Sequence, residues 1–180
     1  MSIDSDLIIC SNCSFNRLIT YSRILLTYDI GNNTFHTHPK YGWCYQCDTI
    51  SHIEPEFNIN EIESELKIVE AKLAEKKSFL SKLFRSKELI EIESKTHQLK
   101  LHLEIATTRE SPPRCLWCGG KKTKEIASFE GKFFKHKCGG FLAVASEAEN
   151  ENSIRFSYAL EEISLDKEGI RKDKSSYPNQ

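Results

Sequence analysis

Apolar residues recur at alternating spacings of three and four through the middle of this chain, and they do so twice, in two different phases. Ile59, Ile62, Leu66, Val69, Leu73, Leu80 and Leu83 follow one heptad track, with Lys76 at its odd position; Leu89, Ile92, Thr96, Leu99, Leu103 and Ala106 follow another. From Glu56 to Ser111 there is no glycine and no proline, and the stretch is dominated by Glu, Lys, Leu and Ile, residues that suit a helix. Asn60 with Glu63 reads as an N-terminal cap, Glu61, Glu63 and Glu65 suit the positive end of a helix dipole, and Pro112-Pro113 stops the far end. Extending the first track predicts apolar positions 87, 90 and 94, whereas the second occupies 89, 92 and 96. A single coiled-coil seam does not slip in that way. We read the break at Phe84-Arg85-Ser86-Lys87 as the turn of an antiparallel helical hairpin, which returns the chain to its start. The alternative is one helix roughly 80 Å long at 1.5 Å per residue, with its stripe presented to a second copy as a homodimer.

On either side the pattern changes to strands and turns. Leu18 to Tyr28 has strand character and ends at the turn signal Gly31-Asn32-Asn33. Phe141 to Ala145 reads as a strand, Glu147 to Asn152 as an acidic turn, and the alternation of Ile154, Phe156, Tyr158 and Leu160 as a second strand. From Asp166 the chain is charged and then polar, the composition of a disordered tail.

The cysteines supply the chemistry. There are seven: Cys10 and Cys13, Cys44 and Cys47, and Cys115 and Cys118 form three Cys-x-x-Cys hooks, and Cys138 follows His136 by two residues. A tetrahedral structural zinc takes four thiolate or imidazole ligands, usually from two short hooks. Taken in chain order, the hooks make two sites: Cys10, Cys13, Cys44 and Cys47, then Cys115, Cys118, His136 and Cys138, or two zinc ions per chain. Glycines just past the last two hooks, Gly119-Gly120 and Gly139-Gly140, permit the positive φ that such turns need. His136 is either the fourth ligand of the second site or a surface histidine beside an incomplete one. An odd number of cysteines and a start, Met1-Ser2-Ile3-Asp4, without an apolar leader argue against a disulfide framework and for a reducing, cytoplasmic setting.

At these residues the chain resembles zinc-ribbon proteins with rubredoxin-like knuckles, over about half its length. The resemblance implies structural zinc and a binding role. The departure is His-x-Cys where ribbons normally carry a further Cys-x-x-Cys. The expected architecture is α+β: a zinc ribbon at 1–57, a helical hairpin or coiled coil at 58–111, a second ribbon with extra strands at 112–165, and a tail at 166–180. A hairpin followed by a ribbon also resembles, in architecture alone, bacterial regulators that probe the RNA polymerase secondary channel. Those carry an acidic tip, whereas Lys76, Lys77, Lys82, Arg85 and Lys87 make this one basic. That tip, interleaved with Phe79, Leu80, Leu83 and Phe84, is either a docking point for an acidic surface or a solvated cap on the hairpin core.

With 180 residues, 39% of them hydrophobic, and a formal charge of −1, the whole chain shows no charge excess that points to a partner. Nothing approaches the roughly 18 apolar residues in succession that a membrane span needs. Locally the balance differs: from Arg114 to Leu142 seven basic residues face two acidic ones. Lys121, Lys122, Lys124, Lys132, Lys135 and Lys137, interleaved with Trp117, Phe129, Phe133 and Phe134, form a candidate nucleic-acid surface, or else a small ribbon whose aromatics are its core. The N-terminal part is near neutral and aromatic, with Trp43 beside Cys44 expected to shield a metal, and His36 and His38 expected in a solvated loop. No Gly-rich phosphate loop, His-Glu-x-x-His or nucleophile elbow is present. The expectation is therefore a non-catalytic zinc-binding adaptor contacting nucleic acid. The alternatives are a protein-binding scaffold using the hairpin and the aromatic first ribbon, and a zinc enzyme in which three cysteines leave a position open for water.

Overall fold

The structure, a computed structural model, describes residues 5–20, 24–80, 87–145 and 161–172. Two helices occupy the middle of the chain, α1 (Ile59–Leu80) and α2 (Lys87–Thr108). They lie antiparallel: Glu65 and Glu70 of α1 pair with Lys95 and Lys100, whereas Lys76 and Lys77, nearer the end of α1, pair with Glu88 and Glu93, nearer the start of α2. Ile62, Val69 and Leu99 are buried between them, flanked by Leu66, Ile92, Leu103 and Ala106. Both apolar stripes thus meet each other within one chain. Thr96, the polar member of its stripe, is buried with its hydroxyl donating to the Ile92 carbonyl at 2.7 Å. The cap lies two residues earlier than the sequence suggests. Asn58, not Asn60, accepts from the Glu61 N–H and donates back to the Glu61 carboxylate. Of the expected turn Phe84-Arg85-Ser86-Lys87, residues 84–86 lie outside the described residues and Lys87 begins α2.

Among the described residues, ten strands form three sheets. In the first, β1 (Ser5–Cys10) pairs with β2 (Asn16–Thr20) on one side and on the other with β9 (Phe141–Val144), which carries β8 (Phe134–Lys135). A second sheet joins β5 (Lys40–Cys44) to β6 (Thr49–Ile53) and to β7 (Thr123–Glu125). Each of these sheets therefore mixes strands from before and after the helices, where sequence order suggested one ribbon on each side. A third sheet sets β3 (Ile24–Ile30) between antiparallel β4 (Asn33–Thr37) and parallel β10 (Glu161–Leu165). The single strand expected over Leu18 to Tyr28 is thus two strands in different sheets, and the strand expected at Ile154–Leu160 lies outside the described residues. Of the tail expected at 166–180, residues 166–172 make the contacts that follow and 173–180 lie outside the described residues. The Asp166 carboxylate accepts from the N–H groups of Glu168 and Ile170, the Lys172 N–H reaches the Ser164 carbonyl, and the Lys172 ammonium pairs with Asp29 at 2.8 Å.

Helix α2 has a second apolar face that the heptads do not reveal. Leu101 and Ile105 pack with Leu26, Tyr28, Phe35, Ile163 and Leu165, so α2 lies on the third sheet. His102 stacks on Phe35 at 4.6 Å and meets Phe57 edge-on at the same distance; its burial disfavours the charged imidazolium.

The helices join the sheets through a buried ion pair. Glu54, at the end of β6, is fully enclosed, and both its oxygens accept from the Arg109 guanidinium, at 2.9 and 2.6 Å. The Tyr28 hydroxyl and the Arg114 N–H complete its shell at 2.7 Å each. Burial, reinforced by the Glu54 charge, holds the Tyr28 hydroxyl far above the ordinary phenol range, so it stays a donor. Truncating one partner of such a pair strands the other charge in the interior. Arg109→Ala is expected to lower the unfolding free energy by about 3–5 kcal/mol, and Tyr28→Phe by a smaller amount, about 1.5–3 kcal/mol. Urea denaturation of the metal-loaded chain checks this ordering, and equal losses would contradict it.

Candidate metal centres

All eight expected ligands come together in two clusters, with a different pairing. Cys10 and Cys13 join His136 and Cys138; Cys44 and Cys47 join Cys115 and Cys118. The first hook in the chain meets the fourth, and the second meets the third. The physical reason is the route of the backbone. The antiparallel helices bring residue 114 back to residue 54, where the Glu54 N–H bonds to the Arg114 carbonyl at 2.9 Å, and Ile53 bridges to Cys115. That joins the two inner hooks, and the pairing of β1 with β9, Cys10 opposite Leu142, joins the outer two.

In the outer cluster Cys10 closes β1 and Cys13 sits in the turn to β2, held by the Cys10 N–H bond to the Phe15 carbonyl. The facing turn between β8 and β9 holds His136 and Cys138, closed by the His136 N–H to the Gly140 carbonyl at 2.8 Å. Asn12 and Ser11 stitch the turns together through the Cys138 carbonyl and the Phe141 N–H. Gly140 permits this approach, because a Cβ there would fall 2.6 Å from Asn12 Cβ and 2.9 Å from Cys10 Sγ. The ligand atoms are close: Cys10 Sγ to Cys138 Sγ 3.4 Å, Cys13 Sγ to His136 Nδ1 3.4 Å, and His136 Nδ1 to Cys138 Sγ 3.2 Å.

In the inner cluster Cys44 ends β5 and Cys47 follows in the turn to β6, while Cys115 and Cys118 lie in a turn closed by the Gly119 N–H to the Cys115 carbonyl. Here Cys44 Sγ to Cys118 Sγ is 3.6 Å and Cys47 Sγ to Cys115 Sγ 4.0 Å. Ligands about 2.3 Å from a central ion stand about 3.8 Å apart in a tetrahedron, and a disulfide would need about 2.05 Å. Both clusters fit a metal ion, and all seven cysteines are free thiols. Gly119 and Gly139, with φ of 71° and 87°, occupy the left-handed positions expected of them.

One aromatic side chain links the centres. Trp43, the neighbour of Cys44 in the inner cluster, packs edge-on to the His136 ring of the outer cluster at 5.4 Å and stacks on Phe134 at 5.0 Å. Phe15 lies against the other side of this group, 5.2 Å from His136 and 5.6 Å from Trp43. His136 is buried with Nδ1 turned to the thiols, and its Nε2 has no hydrogen-bond partner among the described residues. Packing against Phe15 and Trp43, rather than a bond to an outer acceptor, fixes the ring. At the surface Lys137, between two outer ligands, pairs with Asp48, next to an inner one.

The six candidate lysines, Lys121, Lys122, Lys124, Lys132, Lys135 and Lys137, are all exposed. Lys124 lies over Phe134 and Lys132 over Phe141, at 5.8 and 5.9 Å from the ring centres. Of the candidate aromatics, Phe134 is buried, and Phe129 and Phe133 pack on the core shared by the first two sheets, while Trp117 is exposed. His36 and His38 stand away from both clusters, with Nδ1 within hydrogen-bond reach of the Thr27 hydroxyl and of the Ile24 carbonyl respectively. Compared with family profiles, curated proteins and solved structures, the chain matches none.

The thiols are not equivalent. The Asn12 N–H draws Cys10 down to about 6 against the opposing effect of burial, whereas burial pushes Cys44 up to about 11 and Cys47 higher still. At neutral pH Cys44 and Cys47 hold their protons until a metal displaces them, so acid competes with metal at the inner centre. Its affinity is expected to fall by about two decades or more per pH unit between pH 8 and 6. Chelator competition in a Cys13→Ser/His136→Ala background, which isolates the inner centre, measures this slope; a flat profile would contradict it.

Proposed function

We propose that this chain is a non-catalytic, zinc-stabilised binding protein that contacts nucleic acid through the lysine-bearing face beside its two centres. Thiolate and imidazole donors at tetrahedral spacing suit zinc, and four ligands per centre fill a structural site. Free thiols around such a metal fit a reducing compartment. In this reading the helices act as a stem that sets the two knuckle pairs side by side, like paired ribbons on a hairpin.

The observation that carries the nucleic-acid reading is exposed aromatic surface lying among lysines. Tyr45, 54% exposed, bonds through its N–H to the Lys122 carbonyl, and Phe141, 39% exposed, lies beneath the Lys132 ammonium. Burial would favour these rings, so their exposure, with a cation over the Phe141 ring, gives bases a surface to stack on and phosphates a counter-charge. The protein-scaffold alternative rests on the exposed Ile68 and Ile90 of the helices and on the exposed Tyr45 of the aromatic N-terminal part.

Binding of the metal-loaded chain to a labelled single-stranded oligonucleotide is expected to weaken steeply with salt. Contacts from up to six lysines give a slope of log K on log salt of about −3 to −4. Lys121→Glu/Lys122→Glu is expected to weaken binding by tenfold or more, on the order of one to two lost phosphate contacts plus repulsion. No binding at low salt would overturn the reading and leave the protein-scaffold alternative.

A further inference from the structure

A cleft of about 590 Å³ opens between the edge strands β2 and β6, beside the inner metal centre. That volume lies within the range of small-molecule sites, about 300–1,000 Å³. Four successive residues of each strand line it, 17–20 on one side and 49–52 on the other. Two features give it a chemical character. The first is Trp117, 56% exposed, whose backbone is held between Cys115 and Cys118, so an indole is presented from one of the most constrained turns in the chain. The second is charge: among the described lining residues Arg17 is the one cationic side chain and there is no carboxylate, Cys47 and Cys118 belong to the inner cluster, and the remaining polar groups include neutral donors and acceptors such as Gln46 and Thr49.

Resting on the nucleic-acid reading above, we infer that this cleft receives a single unstacked base of a single-stranded nucleic acid, its ring against Trp117 and an adjoining phosphate on Arg17. Lys121 and Lys122, three and four residues beyond Cys118, carry the backbone towards this turn. Arg17 binds phosphate by a planar fork of donors, and Trp117 offers a stacking face that every base can use. The wall opposite is rigid: the Tyr41 ring packs on His52 at 4.5 Å, and its hydroxyl donates to the Thr20 carbonyl at 2.7 Å. A base paired in a duplex cannot enter such a cleft, so the site selects single strands.

The test compares oligothymidylate with a duplex of equal length on the full, metal-loaded chain, by anisotropy and by tryptophan fluorescence. Trp43 is buried at 3% exposure, so quenching on binding reports Trp117. The single strand is expected to quench this emission and to bind about tenfold or more tightly than the duplex. Trp117→Ala is expected to weaken the single strand by about 5–100-fold, with duplex affinity and two metals per chain retained, and Trp117→Phe to restore most of the loss. Arg17→Gln, on a different strand, is expected to weaken the single strand selectively as well. If Lys121→Glu/Lys122→Glu abolishes binding while Trp117→Ala and Arg17→Gln bind as the parent does, the cleft assignment is overturned and the nucleic-acid reading stands. If neither strand form binds at low salt, both fall.

Discussion

Two clusters of four potential metal ligands, each assembled from turns far apart in the chain, are the constraint on which this structure depends. The outer set joins residues 10 and 13 to 136 and 138, so it encloses nearly everything between them, including the inner set. The sheets that carry these turns have three or four short strands each, and they share one core, built around Ile8, Trp43, Ile50, Phe134 and Leu142. Sheets of that size bury too little apolar surface to hold their turns in place unaided, and a metal ion held by these ligands would supply the difference. Trp43 belongs to one centre by sequence and to the other by packing, which makes the two centres parts of a single unit.

The second joint is electrostatic. Glu54 receives the Arg109 guanidinium, the Tyr28 hydroxyl and the Arg114 N–H, and so ties β6, the end of α2, β3 and the start of the inner turn at one buried point. The pair costs desolvation and is satisfied in full, the condition under which a buried carboxylate is tolerated. Gly169 belongs to the same joint, since a Cβ at this position would collide with the Glu54 carboxylate. The segment 166–172 is ordered because it closes this site, with the Glu168 carbonyl accepting from Arg114.

Much of this was legible in the sequence, for identifiable reasons. Cys-x-x-Cys spacing is a local property of a turn, so the ligands could be read directly, and His136 emerged from counting to eight. Heptads are likewise local, and the slip between Leu83 and Leu89 separates the two helices now found side by side. The pairing of hooks is a long-range property set by which strands neighbour each other, and nothing in the spacing of Cys10, Cys44, Cys115 and Cys138 encodes it. The second face of α2 was hidden because Leu101 and Ile105 stand outside the heptad, although their i, i+4 spacing was a usable signal. The role of Glu54 was not legible, since no local feature of a sequence tells a buried glutamate from a solvated one. The cleft beside Trp117 needs two edge strands from different sheets, and only the fold brings them together.

The metal content of paired variants distinguishes nested pairing of the hooks from pairing in chain order. With nested pairing, Cys10→Ser/Cys138→Ser, which disables one centre twice, retains one metal per chain, as does Cys47→Ser/Cys115→Ser. Cys10→Ser/Cys47→Ser, which disables both centres, is predicted to retain none. The opposite result, one metal retained in Cys10→Ser/Cys47→Ser and none in Cys10→Ser/Cys138→Ser, would mean that the hooks pair in chain order and would contradict the account.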